Sequence, residues 1–163
     1  MTNGLAARQP KTWVIVFLVL GVLGFADATF LTVEKLTHGP IPCLVTTGCD
    51  VVTNSVYATI GPVPISLLGA GYYLVIVVLS IMVLDTGQVR WLRILMLLTV
   101  VGFLFSLYLL WLQAFVLKAY CFYCLISAGI SIFLFGTALA ARRAWQSAPS
   151  ESTKNRGTDV PAV

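Results

Sequence analysis

Two pairs of cysteines carry most of the chemistry open to this chain: Cys43 with Cys49, and Cys121 with Cys124. The second pair lies in Ala119-Tyr120-Cys121-Phe122-Tyr123-Cys124, where an apolar run resumes after Lys118. Residues three apart on a helix share a face, so both sulfurs sit close enough to bridge. The positive end of a helix dipole favours thiolate over thiol. Thiolate is the form that attacks a disulfide. The Phe-Tyr between the two cysteines borders hydrocarbon and water alike, so the motif reads as a redox dithiol at a membrane surface.

Cys43 and Cys49 enclose Leu44-Val45-Thr46-Thr47-Gly48, and Gly39, Pro40 and Pro42 precede them, which argues against helix there. Such a loop could close as a static staple. It could also open and let each sulfur meet a different partner. Four thiols on one side of a membrane favour exchange between the pairs. No cluster of His, Asp or Glu accompanies either pair, so no metal site is expected. The lone His38 reads as a loop residue.

The elements that position these sulfurs are apolar. Hydrophobic residues make up 59% of the 163 and charged residues 10%, against about 25% charged in soluble domains. Mean hydropathy is +0.96. The net charge of +4 comes from basic residues scattered at the ends of apolar runs, which is not a nucleic-acid signal. Runs at about 12–33, 65–84, 94–116 and 121–141 are each near the roughly 20 residues that cross hydrocarbon. The expected fold is an all-α membrane protein, a four-transmembrane-helix bundle with a short surface helix in the first outer loop, 34–63. Residues 1–11 form a cytosolic N-terminus, 12–142 the redox domain, and 143–163 a polar, disordered cytosolic tail.

With the N-terminus in the cytosol, Arg8, Lys11, Arg90, Arg93, Arg142 and Arg143 flank helices inside and only Lys35 and Lys118 lie outside. Both cysteine pairs then face outward. Trp13, Trp91 and Trp145 mark the inner interface; Trp111, Tyr120 and Tyr123 mark the outer one. A cleaved signal peptide ending near Ala26-Asp27-Ala28 competes with the first helix, but the apolar run continues through Val33. Within the loop, Asp50 is the expected N-cap of a helix over 50–58, with Val52, Val56 and Tyr57 toward the membrane surface. Gly61-Pro62-Val63-Pro64 then breaks the chain, with Pro64 in the first turn of the second membrane helix. Asp27 is the single charge inside an apolar run, facing either the bundle interior or the headgroups. Gly69/Gly71, Gly102/Ser106 and Ala128/Gly129 suit close helix packing, and Gly129 also leaves room for a flat ligand.

The cysteine pair in the first loop, then Cys49-Asp50 with Ser55 five residues beyond, Gly61-Pro62-Val63-Pro64, Leu68-Gly69, and Cys-X-X-Cys opening the last helix together resemble the vitamin K epoxide reductase family over about residues 12–142. The resemblance implies a four-helix bundle around a quinone, oxidising thioredoxin-like proteins in its bacterial members. It implies that Cys43 meets the partner, that Cys49 passes electrons to Cys121, and that Cys124 faces the quinone. Ser55 matches a loop serine or threonine of the family, with Asp50 in support. The vertebrate enzyme's asparagine and tyrosine that hold the vitamin align with Ile65 and Ala128, which cannot make those bonds. The expected quinone pocket thus includes Ile65, Cys124, Ala128 and Gly129.

The resulting expectation is a quinone-dependent thiol oxidase of a bacterial plasma membrane, using ubiquinone, menaquinone or a similar quinone. Bacterial relatives often carry a fused thioredoxin-like domain; here the last 18 residues are a polar tail, so the thiol partner is expected to be a separate extracytoplasmic protein. Rival readings are a disulfide-bond-forming protein B type of oxidase, which has its cysteine pairs in the reverse order, and a soft-metal transporter of the mercury type. An epoxide reductase of the same family and a membrane protein with two inert staples complete the alternatives.

Overall fold

The structure is a computed structural model that describes residues 11–37 and 48–146. Helix α1 spans Lys11–Thr37. A loop segment follows with the short helix α2, Cys49–Thr53, and one 3-10 turn, Val56–Ala58. A two-stranded hairpin, β1 (Thr59–Ile60) and β2 (Val63–Pro64), leads directly into α3, Ile65–Thr86. Helix α4 covers Val89–Trp111 and runs on as a π-helical turn, Leu112–Leu117. Helix α5 is Phe122–Gln146.

Four of these helices are long and apolar enough to cross a bilayer. In hydrocarbon no water can satisfy backbone N–H and C=O groups, and a helix satisfies them internally. Helix α1 packs on α3 and α5, and α4 packs on the same two, which gives a four-membered ring. Its core holds Phe17, Tyr73, Ile76, Leu95 and Leu134, all essentially buried. Large apolar side chains such as Leu97, Phe115 and Phe133 point outward, as a lipid solvent allows. Hydroxyls inside the bundle bond their own helices: Thr32 donates to Ala28 O and Ser80 to Ile76 O, both at 2.7 Å.

The helices outrun the apolar runs. Helix α1 continues past Val33 to Thr37, because Lys35 finds partners beyond the hydrocarbon: its Nζ donates to Thr53 O at 2.7 Å and Asn54 Oδ1 at 2.9 Å. Helix α4 begins at Val89 rather than near 94, with Arg90 and Arg93 in its opening turns. Helix α5 starts at Phe122, after Cys121, and stays helical to Gln146, into the segment expected to be disordered. Pro64 precedes the first turn of α3, in extended conformation with φ −64° and ψ 139°. The rest of the tail, the first ten residues, His38 and Cys43 lie outside the described residues.

Candidate active site

Cys121 occupies the N-cap position of α5. Its carbonyl accepts the N–H of Leu125 at 3.0 Å. A cap side chain is placed to accept from the second and third N–H groups of the helix, here Tyr123 and Cys124. Those two N–H groups and, first of all, the Cys124 thiol donate to the Cys121 sulfur, and together they hold the thiol at about 7, below its ordinary value and against the opposing cost of burial. Cys121 is fully buried, and Cys124, one turn on, is half-buried.

The turn before Cys121 is built by Gln113. This residue is 3% exposed and sits in the π-helical turn. Its backbone carbonyl accepts the N–H of Ala119 at 3.2 Å, and its side-chain Oε1 accepts the N–H of Cys121 at 3.0 Å. Lys118 takes a left-handed conformation, φ 48°, to reverse the chain between them. One amide thus ties the end of α4 to the start of α5. Sequence reasoning missed Gln113, although it is the only amide side chain in the run 94–116, and a strongly polar side chain in a membrane span is a functional signal.

Cys49 reaches the same place from the loop. Helix α2 begins at Cys49 itself, with the carbonyl of Gly48 accepting the Val52 N–H at 3.0 Å. Gly48 is therefore the cap, and Asp50 lies inside the first turn, contrary to the expectation. The reason is a close approach. A Cβ on residue 48 would lie 2.8 Å from Tyr120 O and 2.9 Å from Tyr120 N, so only glycine lets the loop backbone rest on the backbone just before Cys121. Cys49, Cys121, Leu31 and Val52 then form one buried cluster. Val52 points inward, three residues from Cys49 on the same face, while Val56 and Tyr57 are exposed. Ser55 Oγ donates to Val52 O at 2.8 Å and closes α2. Cys49 is disulfide-bonded, and Cys121 and Cys124 are free thiols.

Beneath this cluster lies a mostly apolar cavity of about 340 Å³. Cys124, Ile65 and Ala128 are on its wall; Gly129 is not among its lining residues, and a Cβ there would meet nothing within 4 Å. Five residues along a helix from Cys124 turn Gly129 well away from the cysteine's face. Ser55 and Ala58 roof the cavity from the loop. Leu68 on α3 and Val101 and Phe105 on α4 line it while remaining exposed on the outside of the bundle, so its side opens toward lipid. Hydroxyls of α3 and α5 meet on its wall. The Tyr73 hydroxyl donates to Ser127 O at 2.8 Å and lies 3.0 and 3.1 Å from the Oγ atoms of Ser127 and Ser131. The neighbouring Tyr72 hydroxyl is buried without a partner among the described residues.

Comparison with curated proteins gave no match. The model of the vitamin K epoxide reductase family matches residues 15–139, a stretch that contains all four cysteines, the loop and every residue of the cavity. Members of that family are membrane helical bundles that act as quinone-linked thiol oxidoreductases. On a match over more than three-quarters of its length, this chain belongs to the vitamin K epoxide reductase family.

Proposed function

We propose that the chain is a quinone-dependent thiol oxidase that supports disulfide formation in exported proteins. A separate thioredoxin-like protein attacks the loop pair at Cys43 and leaves oxidised. Cys49 then exchanges with Cys121, and the disulfide of Cys121 and Cys124 is the last protein station before a membrane quinone. Each protein step is thiolate attack through a mixed disulfide. The quinone supplies the two-electron sink without which the cysteines stop after one turnover. The cysteines face the outside of the plasma membrane and both termini the cytosol, by the distribution of Arg and Lys around the spans.

The observation that carries this reading is the placement of Cys49 and Cys121 in one buried cluster, with Cys124 on the cavity wall next to it. The cavity suits a quinone headgroup. Its size falls in the range of small-molecule sites, its walls are mostly apolar, and Tyr72 presents a buried hydroxyl there that has no partner among the described residues. Ile65 and Ala128 give the wall no hydrogen bonds where the vertebrate enzyme has its asparagine and tyrosine, which favours thiol oxidation over epoxide reduction.

Expression in bacteria that lack their own quinone-linked thiol oxidase tests the reading. Restored disulfides in exported proteins are expected, and unchanged ones would count against it. Cys124→Ala should still trap the partner on the loop pair while ending quinone reduction. Quinone reduction by that variant at near the unmutated rate would remove Cys124 from its role.

A further inference from the structure

The cavity has a phenol in its wall that the fold itself does not use. Tyr72 lines the cavity, and its hydroxyl is buried with no hydrogen-bond partner among the described residues. Leaving a buried hydroxyl unpaired is costly. Several other polar groups of the wall already have partners. Tyr73 gives its proton to Ser127 O, Thr53 to Cys49 O and Ser55 to Val52 O, and Lys35 Nζ is held by Thr53 O and Asn54 Oδ1.

Packing fixes where the Tyr72 hydroxyl sits. Its ring meets that of Tyr73 edge to face, with centroids 5.1 Å apart and planes at 68°. Tyr73 is in turn tied to α5 through Ser127 and Ser131. On its other side the phenol end rests on the backbone of α4. A Cβ on Gly102 would collide with the Tyr72 hydroxyl and come within 3.0 Å of its Cε2. Glycine weakens a helix interior relative to alanine, so α4 gives up a side chain at the place where the phenol needs room. Gly102 also lines the cavity. The opening toward lipid is next to this point: Leu68 lies one turn before Tyr72 on α3, and Val101 and Phe105 flank Gly102 on α4. The hydroxyl is thus a donor already aimed, at the seam of α3 and α4, across the cavity wall from α5 with Cys124.

A ligand that fits is an apolar ring that carries an accepting oxygen and comes from the bilayer. We propose that Tyr72 donates a hydrogen bond to one ring carbonyl of the quinone and thereby sets how the ring lies, with its opposite carbonyl toward the α5 wall. The inference rests on the quinone-linked reading. It places the donor elsewhere than in the vertebrate enzyme, whose asparagine and tyrosine align with Ile65 and Ala128. In the reaction Cys121 and Cys124 gain an S–S bond and lose two electrons and two protons, all of which the quinone takes up. Its oxygen becomes a better acceptor as the electrons arrive, so the Tyr72 O–H favours the transition state over the bound quinone. Tyr72 keeps its own proton and ends as it began.

Tyr72→Phe removes the hydroxyl and keeps the ring. The full chain in lipid vesicles is given a short-chain ubiquinone or menaquinone, whichever the unmutated protein reduces. For Tyr72→Phe, kcat/KM for the quinone should fall by about tenfold or more. With both cysteine pairs oxidised, quinone binds without reacting, and infrared spectra can read the bond directly. One carbonyl band of an isotope-labelled quinone should move to lower frequency in the unmutated protein and return in Tyr72→Phe. Without quinone, the unfolding midpoint of Tyr72→Phe should be equal or higher, because an unpaired hydroxyl gives the fold nothing. Added quinone should raise the midpoint more in the unmutated protein. An unchanged kcat/KM for quinone overturns the proposal, as do carbonyl bands alike in the two proteins. So does a lowered quinone-free midpoint or a failure to fold in Tyr72→Phe, since either gives the hydroxyl a partner in the fold. An unmutated protein that neither binds nor reduces quinone overturns the proposed function instead.

Discussion

The contact between Gly48 and Tyr120 sets how readily the two cysteine pairs can meet. In Gly48→Ala the new Cβ would lie 2.8 Å from Tyr120 O, 2.9 Å from Tyr120 N and 3.2 Å from Ala119 Cβ. Carbon contacts settle at about 3.5 Å or more. Two of the three obstacles are backbone atoms and cannot swing aside. The loop must rise by about 0.5 Å or more, and overpacking of this kind costs about 1–3 kcal/mol. If that cost falls on the docked loop, its population relative to the lifted one drops by a factor of about 5 to 150. The assay uses a Cys43→Ala/Cys124→Ala background, which removes both competing sulfurs. Under oxidising conditions this double variant should accumulate a Cys49–Cys121 disulfide, seen by peptide mapping without reduction. Adding Gly48→Ala should slow its formation by at least about fivefold. Gly71→Ala serves as control, since a Cβ there meets nothing within 4 Å. Cross-linking at the parent rate in Gly48→Ala would refute the docking argument. Two free thiols in the parent would refute the exchange itself.

Gln113→Leu strands the buried N–H of Cys121, a loss of about 1–3 kcal/mol; the unfolding midpoint should fall, and an unchanged midpoint would show that the bond holds nothing. Alkylation of Cys121 should rise with pH about a midpoint near 7, because its lowered value keeps the thiolate present above that pH and loses it below. Cys124→Ala removes the thiol hydrogen bond that does most to hold that thiolate, so the midpoint should move up toward the ordinary thiol value, and an unmoved midpoint would assign the effect elsewhere. A membrane-impermeant thiol reagent applied to intact cells after mild reduction should reach the loop pair at Cys43, Cys49 being buried; reaction only in permeabilised cells would reverse the orientation.

The four membrane-length helices were legible because twenty or so uncharged apolar residues have few other stable solutions. Their ends were less so. Lys35 looked like a boundary, yet its long side chain bonds the end of α2 and allows α1 to continue. Placing Cys121 and Cys124 at the start of α5 needed only the three-residue spacing. Placing Cys49 beside them depended on a contact between residues 48 and 120, which no local pattern reports. Asp50 looked like a cap by residue type, but the close approach gave that place to Gly48. Gly129 was chosen for its missing side chain, and the helical angle from Cys124 turns it away. Gln113 was hidden by the hydrophobicity of its neighbours.

The sideways opening of the cavity between Leu68, Val101 and Phe105 has a kinetic consequence. On the proposed reading the two reactants arrive through different phases, the thiol protein from water and the quinone from the bilayer. Neither has to leave for the other to enter, so saturation with one should not inhibit use of the other. The quinone's apparent Michaelis constant should then scale with its mole fraction in lipid rather than its bulk concentration. Diluting the same protein and quinone with empty vesicles that do not exchange quinone should leave the rate per protein unchanged, whereas swelling the vesicles with extra lipid should slow it. An inhibitor shaped for the cavity would be governed in the same way, its potency set as much by partitioning as by fit.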